Sequence, residues 1–212
     1  MGGMWRGGLY AIVDDSLTPL DGLVPLADSL VRAGASCVQL RVKRLSDREF
    51  LELAEEIRVA VEPAPLVIND RADICALCGS VGLHLGQSDI PPRRARELVG
   101  AGVVIGLSCH SLDEVKRANA EPVDYIAFGP VFETTTKDKP EPTVGVELLA
   151  EAVRISRLPV VAIGGINDEN LHLIARTGIH SFAAISHLAR ASDPYCAAKR
   201  LIEIWRSKAD GE

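Results

Sequence analysis

Pro159-Val-Val-Ala-Ile-Gly-Gly-Ile-Asn-Asp-Glu-Asn-Leu-His-Leu-Ile-Ala-Arg-Thr-Gly-Ile-His-Ser-Phe-Ala-Ala-Ile-Ser186 decides between the two folds that an alternation of strands and helices permits. Two apolar runs, Pro159–Ile163 and Ser181–Ile185, flank helix-type spacing over Asp168–Thr177. Gly164-Gly165 follows the first run and Ser186 the second, and backbone N–H groups at these positions are where the last two units of many (β/α)8 barrels take a phosphate. A doubly wound open sheet would instead place G-x-G-x-x-G after its first strand, where this chain has Asp14-Asp15-Ser16. No Walker-type loop occurs either.

Working outward, six further runs precede these two: Leu9–Val13, Cys37–Leu40, Pro65–Ile68, Gly82–Leu85, Val103–Leu107 and Tyr125–Phe128. Helical spacing fills the intervals at Leu20–Ala33, Asp47–Val61, Arg71–Leu77, Arg93–Val99, Leu112–Ala118, Val146–Ile155 and Asp168–Thr177, and returns at Pro194–Arg206. Ser46-Asp-Arg-Glu49 reads as a capping box, Ser111 and Asp168 as further caps, and Gly34, Gly100 and Gly178 as helix stops. The expected fold is a single-domain α/β (β/α)8 TIM barrel over residues 1–212, with 1–7 as an N-terminal extension. At 212 residues each unit has about 26, the compact end for this architecture, so large inserted domains are not expected.

With 47% hydrophobic and 25% charged residues the chain has the composition of a globular domain with a well-buried core. A net charge of −6 argues against nucleic acid as partner. No window approaches the roughly 18 consecutive apolar residues of a membrane span, and the start lacks an apolar signal core, so no membrane association and a cytoplasmic setting are expected. The five cysteines are odd in number and irregularly spaced, which suits reduced thiols. Cys75-Ala-Leu-Cys78 has redox spacing but lies on a helical pattern without a second pair, and is read as core packing. A homo-oligomer is compatible with the sequence but not readable from it.

Chemically useful residues crowd at the ends of the runs. Asn69-Asp70 closes the third strand and Gln87-Ser88-Asp89 follows the fourth, so two carboxylates arise from strands about 4.8 Å apart. Such a pair can share Mg²⁺, whose other ligands are water and substrate phosphate; it can equally cap the two following helices. Gln39, Arg41 and Lys43 alternate with Leu40 and Val42 and therefore share one side of the second strand, the barrel interior, the alternative being that Lys43 stands in solvent beyond the strand end. Burying that charge calls for an anion, and a pyrophosphate matches it. Phe128-Gly-Pro-Val-Phe-Glu-Thr-Thr-Thr-Lys137 opens a long polar loop running to Gly145, a lid candidate with hydroxyls at Thr134 and Thr136 and a cation at Lys137.

Taken in order, Gln39-Leu-Arg-Val-Lys43, Asn69-Asp70, His84-Leu-Gly-Gln-Ser-Asp89, Gly106-Leu-Ser108, Gly129-Pro130, Thr134-Thr-Thr-Lys137, Gly145, Ala162-Ile-Gly-Gly-Ile166 and Ile185-Ser186 resemble the thiamine-phosphate synthase (thiamine-phosphate pyrophosphorylase) family over essentially the whole chain. The resemblance implies condensation of 4-amino-2-methyl-5-hydroxymethylpyrimidine pyrophosphate with a thiazole phosphate, carboxylated or not, to thiamine phosphate and pyrophosphate. It further implies that Gln39, Leu40, Arg41, Val42, Lys43, Asn69, Ser108 and Lys137 hold the pyrimidine pyrophosphate, and that Asp70 and Asp89 hold Mg²⁺. Thr134, Thr135, Thr136, Gly165, Ile185 and Ser186 would hold the thiazole phosphate. The implied chemistry is C–O ionisation assisted by Mg²⁺, Arg41, Lys137 and Ser108, then attack by the thiazole nitrogen. Glu133, where the family has proline, and His187, where it has a small residue, depart from the pattern at the thiazole end. Two rivals remain: a related thiazole tautomerase using His110 as acid and base, and a non-catalytic barrel that binds phosphometabolites. His84 is compatible with a pyrophosphate contact or with filling the barrel.

Overall fold

The computed structural model describes residues 6–134 and 142–209. Thr135, Thr136 and Lys137 lie outside them. The strands are β1 (Gly8–Asp14), β2 (Cys37–Arg41), β3 (Leu66–Asn69), β4 (Gly82–Leu85), β5 (Val104–Cys109), β6 (Tyr125–Phe128), β7 (Val160–Ala162) and β8 (Ser181–Ala184). All neighbours pair in parallel, and β8 returns to β1 through Gly8↔Ser181 to Ala11↔Ala184, which closes the barrel. The eight-stranded barrel expected from the sequence is the observed fold.

Around it run α1 (Leu20–Ala33), α2 (Asp47–Ala60), α3 (Ala72–Cys78), α4 (Pro92–Val99), α5 (Leu112–Ala118), α6 (Gly145–Ile155), α7 (Leu171–Ile174), α8 (Ser186–Ala189) and α9 (Pro194–Ala209). Ser46 and Glu49 form the full capping box on α2, and the Ser111 hydroxyl caps α5 through the Glu114 N–H. Among the described residues no helix is long and apolar enough to cross a membrane.

The seventh unit corrects the sequence reading. Helix α7 has four residues, and the expected first turn is a knot of side-chain hydrogen bonds. The Asn167 Oδ1 accepts from the N–H groups of Glu169 and Asn170 at 2.9 and 3.1 Å, while the Asn170 Oδ1 accepts from Asn167 at 2.9 Å. The Asn167 backbone carbonyl also accepts from the Leu171 N–H at 3.0 Å, so Asn167 meets N–H groups at the helix start as a cap does. Asp168 consequently does not cap the helix; its carboxylate meets Arg200 at 3.0 Å. The short α8 was not anticipated, because a single turn leaves no periodicity to read.

Strand alternation splits the apolar residues into two cores. Leu9, Ala11, Val13, Val38 and Leu40 face the helices, whereas Tyr10, Ile12, Cys37, Val67, Tyr125 and Val161 fill the barrel. Gln39 and Arg41 share the inward register of Cys37, as their spacing requires.

Cys75 and Cys78 are buried under α3, and the Cys75 thiol donates to the Gly82 carbonyl with an Sγ–O distance of 3.3 Å. Burial, reinforced by Cys78, pushes the Cys75 thiol up to about 12. Only Cys196 of the five cysteines is exposed. Titration with a thiol reagent is therefore expected to find one reactive group in the native protein and five in denaturant.

Candidate active site

The C-terminal ends of the strands surround a cavity of about 280 Å³. From β2 come Gln39, Arg41 and, just beyond the strand, Lys43; from β3 and its exit come Asn69 and Asp70. The β4 exit supplies Asp89 and β5 supplies Ser108. On the opposite wall stand Thr134, Gly165, Ile185 and Ser186. Leu40 and Val42 turn into the outer core, so their side chains do not line the cavity.

Arg41 is fixed before any ligand arrives. Its guanidinium lies 2.6 Å from the Asp14 carboxylate, whose side chain is fully buried. The other Asp14 oxygen accepts from the N–H and hydroxyl of Ser16 at 2.8 and 2.6 Å. Buried carboxylates are tolerated when so compensated. Asp15, also fully buried, accepts from the N–H groups of Lys43 and Arg44 at 3.1 and 2.8 Å and so shapes the chain leaving β2. Sequence reading did not assign these anchors. Their partners emerge only from the pairing of β1 with β2, which sets Asp14 opposite Arg41.

Asp70 is the one non-glycine residue with positive φ, 63°, among the described residues. Aspartate tolerates this region better than most side chains, though at some cost. Its N–H donates to the His84 carbonyl at 2.8 Å, which holds the turn against β4. From there the carboxylate meets the Lys43 ammonium at 2.5 Å and hydrogen-bonds to Asp89. Asp89 also accepts from the Gly86 N–H at 2.7 Å. Neither aspartate caps a helix, because α3 and α4 begin without a side-chain cap bond.

Burial works to raise the Asp70 carboxyl, but the hydrogen bonds from Asp89 and Lys43 outweigh it and hold Asp70 below the ordinary range. Asp89 moves up, through burial and through Asp70 beside it. Two carboxyls in contact need a shared proton or a cation between them. Among the described residues no three His, Cys, Asp or Glu side chains group as a metal cage. Two oxygen-donor carboxylates facing an open cavity fit Mg²⁺, which commonly completes its shell with water and phosphate.

On the far wall, the chain leaving β6 runs beside the Gly164–Gly165 turn: the Val131 N–H donates to Ile163 and the Phe132 N–H to Gly164, at 2.8 and 3.0 Å. The Gly145 N–H returns to the Val131 carbonyl at 3.2 Å, so both ends of the expected lid loop are anchored. Glu133 and His187 both border a second hollow that adjoins this wall. His110 lines the main cavity, its Nδ1 donating to the Gly129 carbonyl at 2.5 Å.

Fold and cavity together define a (β/α)8 barrel whose mouth gathers cations, a carboxylate pair and backbone N–H groups. Residues 9–188 match the family model described as thiamine monophosphate synthase, and the chain belongs to that family. It is 42% identical over 199 residues to a thiamine-phosphate synthase of Syntrophomonas wolfei, covering 93% of this chain and 95% of the relative. A thiamine-phosphate synthase of Albidiferax ferrireducens is 40% identical, with 92% of this chain and 90% of the relative covered. Among solved structures, a thiamine phosphate pyrophosphorylase from Pyrococcus furiosus superposes with a TM-score of 0.87 at 31% identity, covering 96% of this chain and 97% of the other.

Proposed function

We propose that this barrel is a thiamine-phosphate synthase, a transferase that joins 4-amino-2-methyl-5-hydroxymethylpyrimidine pyrophosphate to a thiazole phosphate, carboxylated or not, and releases pyrophosphate, with carbon dioxide lost as well when the thiazole is carboxylated. The observation that carries this reading is the convergence of Arg41, Lys43, Asp70, Asp89 and Ser108 on one cavity from four successive strand exits. Family membership supports the same reaction.

In this reading Arg41, already oriented by Asp14, presents its planar donors to the pyrophosphate, and Lys43 adds a point charge beside it. Asp70 and Asp89 would hold Mg²⁺, which when bound supplies positive charge to the departing pyrophosphate. Gln39 and Asn69 bind the pyrimidine portion, and Ser108 hydrogen-bonds to it from β5. Lys137, outside the described residues, is assigned to the leaving group by the family resemblance alone. The C–O bond breaks with its electron pair leaving on pyrophosphate, and the aminopyrimidine stabilises the resulting benzylic-type cation. The thiazole nitrogen then donates its lone pair to that carbon. The thiazole phosphate lies against the N–H groups of Gly165, Ile185 and Ser186 and the hydroxyl of Thr134; Thr135 and Thr136, outside the described residues, are assigned to it by the family resemblance alone. No nucleophile and base pair on the protein is required, because departure of the leaving group drives the reaction.

Purified protein given both substrates and Mg²⁺ is expected to form thiamine phosphate and pyrophosphate in equal amounts. Either substrate alone, or chelator, should abolish both. Absence of product from demonstrably folded protein would overturn the proposal in favour of a tautomerase using His110 or a non-catalytic binding barrel.

A further inference from the structure

At the cavity floor five polar side chains form a continuous row across the barrel. The Gln39 Nε2 donates to the Tyr10 hydroxyl at 2.8 Å, and the two phenols of Tyr10 and Tyr125 meet at 2.9 Å. Tyr125 lies 3.0 Å from the His84 Nδ1, and the His84 Nε2 lies 3.0 Å from the Ser108 Oγ. Gln39, Tyr10, Tyr125 and His84 are all buried. Space for the row is built into the strands: a Cβ at Gly106, the register partner of Tyr125, would fall 2.0 Å from the phenol Cζ.

The row has a direction. An amide nitrogen can only donate, so the Tyr10 oxygen accepts from Gln39; either phenol can supply the hydrogen between Tyr10 and Tyr125, and with Tyr10 as that donor the row runs one way. Tyr125 then gives its hydrogen to the His84 Nδ1. That leaves the imidazole proton on Nε2, donating to Ser108, and the hydroxyl hydrogen of Ser108 turns into the cavity. Burial pushes both phenols well above their ordinary range, which keeps these hydrogens in place.

We infer that Tyr10, Tyr125 and His84 are positioning residues that hold Ser108 as a hydrogen-bond donor toward an acceptor atom of the pyrimidine substrate. The inference deepens the synthase reading and rests on it for the identity of the ligand. Chains of hydrogen bonds polarise one another, so the last donor is strengthened as well as aimed.

Nitrogen NMR of His84 in the wild-type protein reads the row without any turnover. The expected spectrum shows a neutral ring with a bare Nδ1 and a protonated Nε2; a proton on Nδ1, or a charged ring, would overturn the inference even if thiamine phosphate is made. Kinetics supply the second arm. Tyr125→Phe is expected to lower kcat/KM by about tenfold, the scale of one lost charge-assisted or polar contact, and Tyr10→Phe by less, because Tyr125 can still donate to His84. In a Ser108→Ala background Tyr125→Phe should add nothing further, since it acts through Ser108. Equal additional losses with and without the serine would show a merely structural tyrosine and overturn the inference. Failure of the synthase reading would appear instead as absent product in the wild type with the His84 spectrum unchanged.

Discussion

Asp70→Asn should lower kcat by about 100-fold while leaving the protein folded, the scale seen when one preorganised electrostatic contact to a developing charge is removed. Asparagine keeps the size of the side chain and tolerates the positive φ that residue 70 adopts, so the turn after β3 need not move. What is lost is one of the two negative charges at the β3 and β4 exits and the partner of Lys43. Lys43 is 47% exposed in its side chain, so water can replace that partner and the fold should lose no more than about 1 kcal/mol. Saturating kinetics and a thermal scan on the same preparation separate the two effects. Turnover near that of the wild type would remove Asp70 from the proposed machinery.

Gly165→Ala is the second large effect, and it strikes the opposite wall. Residue 165 has a φ of +65°, and an added Cβ would lie 2.4 Å from the Glu133 carbonyl oxygen and 2.8 Å from the Phe132 Cβ. The closest of these contacts is with backbone, so the glycine turn and the chain after β6 must separate. Strain of this kind costs about 1 to 3 kcal/mol, and for a chain of this length the thermal midpoint should fall by about 5 °C. Under the proposed function the KM for thiazole phosphate should rise by about tenfold or more, with little change for the pyrimidine substrate. Gly79→Ala is the control: its φ is +67°, but nothing lies within 4 Å of the added Cβ, so it should cost some stability and leave both KM values alone. Equal effects of the two variants on thiazole phosphate would contradict the assignment of that wall.

Much of this arrangement was legible because strand alternation is rigid. Once Leu40 and Val42 are taken as outward, Gln39, Arg41 and Lys43 must turn inward, and the cavity receives all three. The carboxylate pair was also readable, since β3 and β4 are neighbours, Asp70 follows β3 directly and Asp89 stands in the short segment after β4. What holds these groups was not. Asp14 and Asp15 follow a run of apolar residues, where Asp14 reads only as one more polar residue at a strand end; their burial under Arg41 and Lys43 appears only when β1 and β2 pair. Tyr10 and Tyr125 are 115 residues apart and look like core aromatics in apolar strands, which they are, apart from one hydroxyl each. Helix α7 shows the opposite error, because apolar spacing over 168–177 overstated a segment whose first residues bond to one another's side chains.

Calorimetric binding of the pyrimidine pyrophosphate, with and without Mg²⁺, tests the proposed role of the strand-end carboxylates most directly. The expected result is tight binding that weakens by about tenfold or more when the metal is chelated, and that loses its Mg²⁺ dependence in both Asp70→Asn and Asp89→Asn. Binding equally tight without the metal, or an undiminished Mg²⁺ response in both variants, would contradict it.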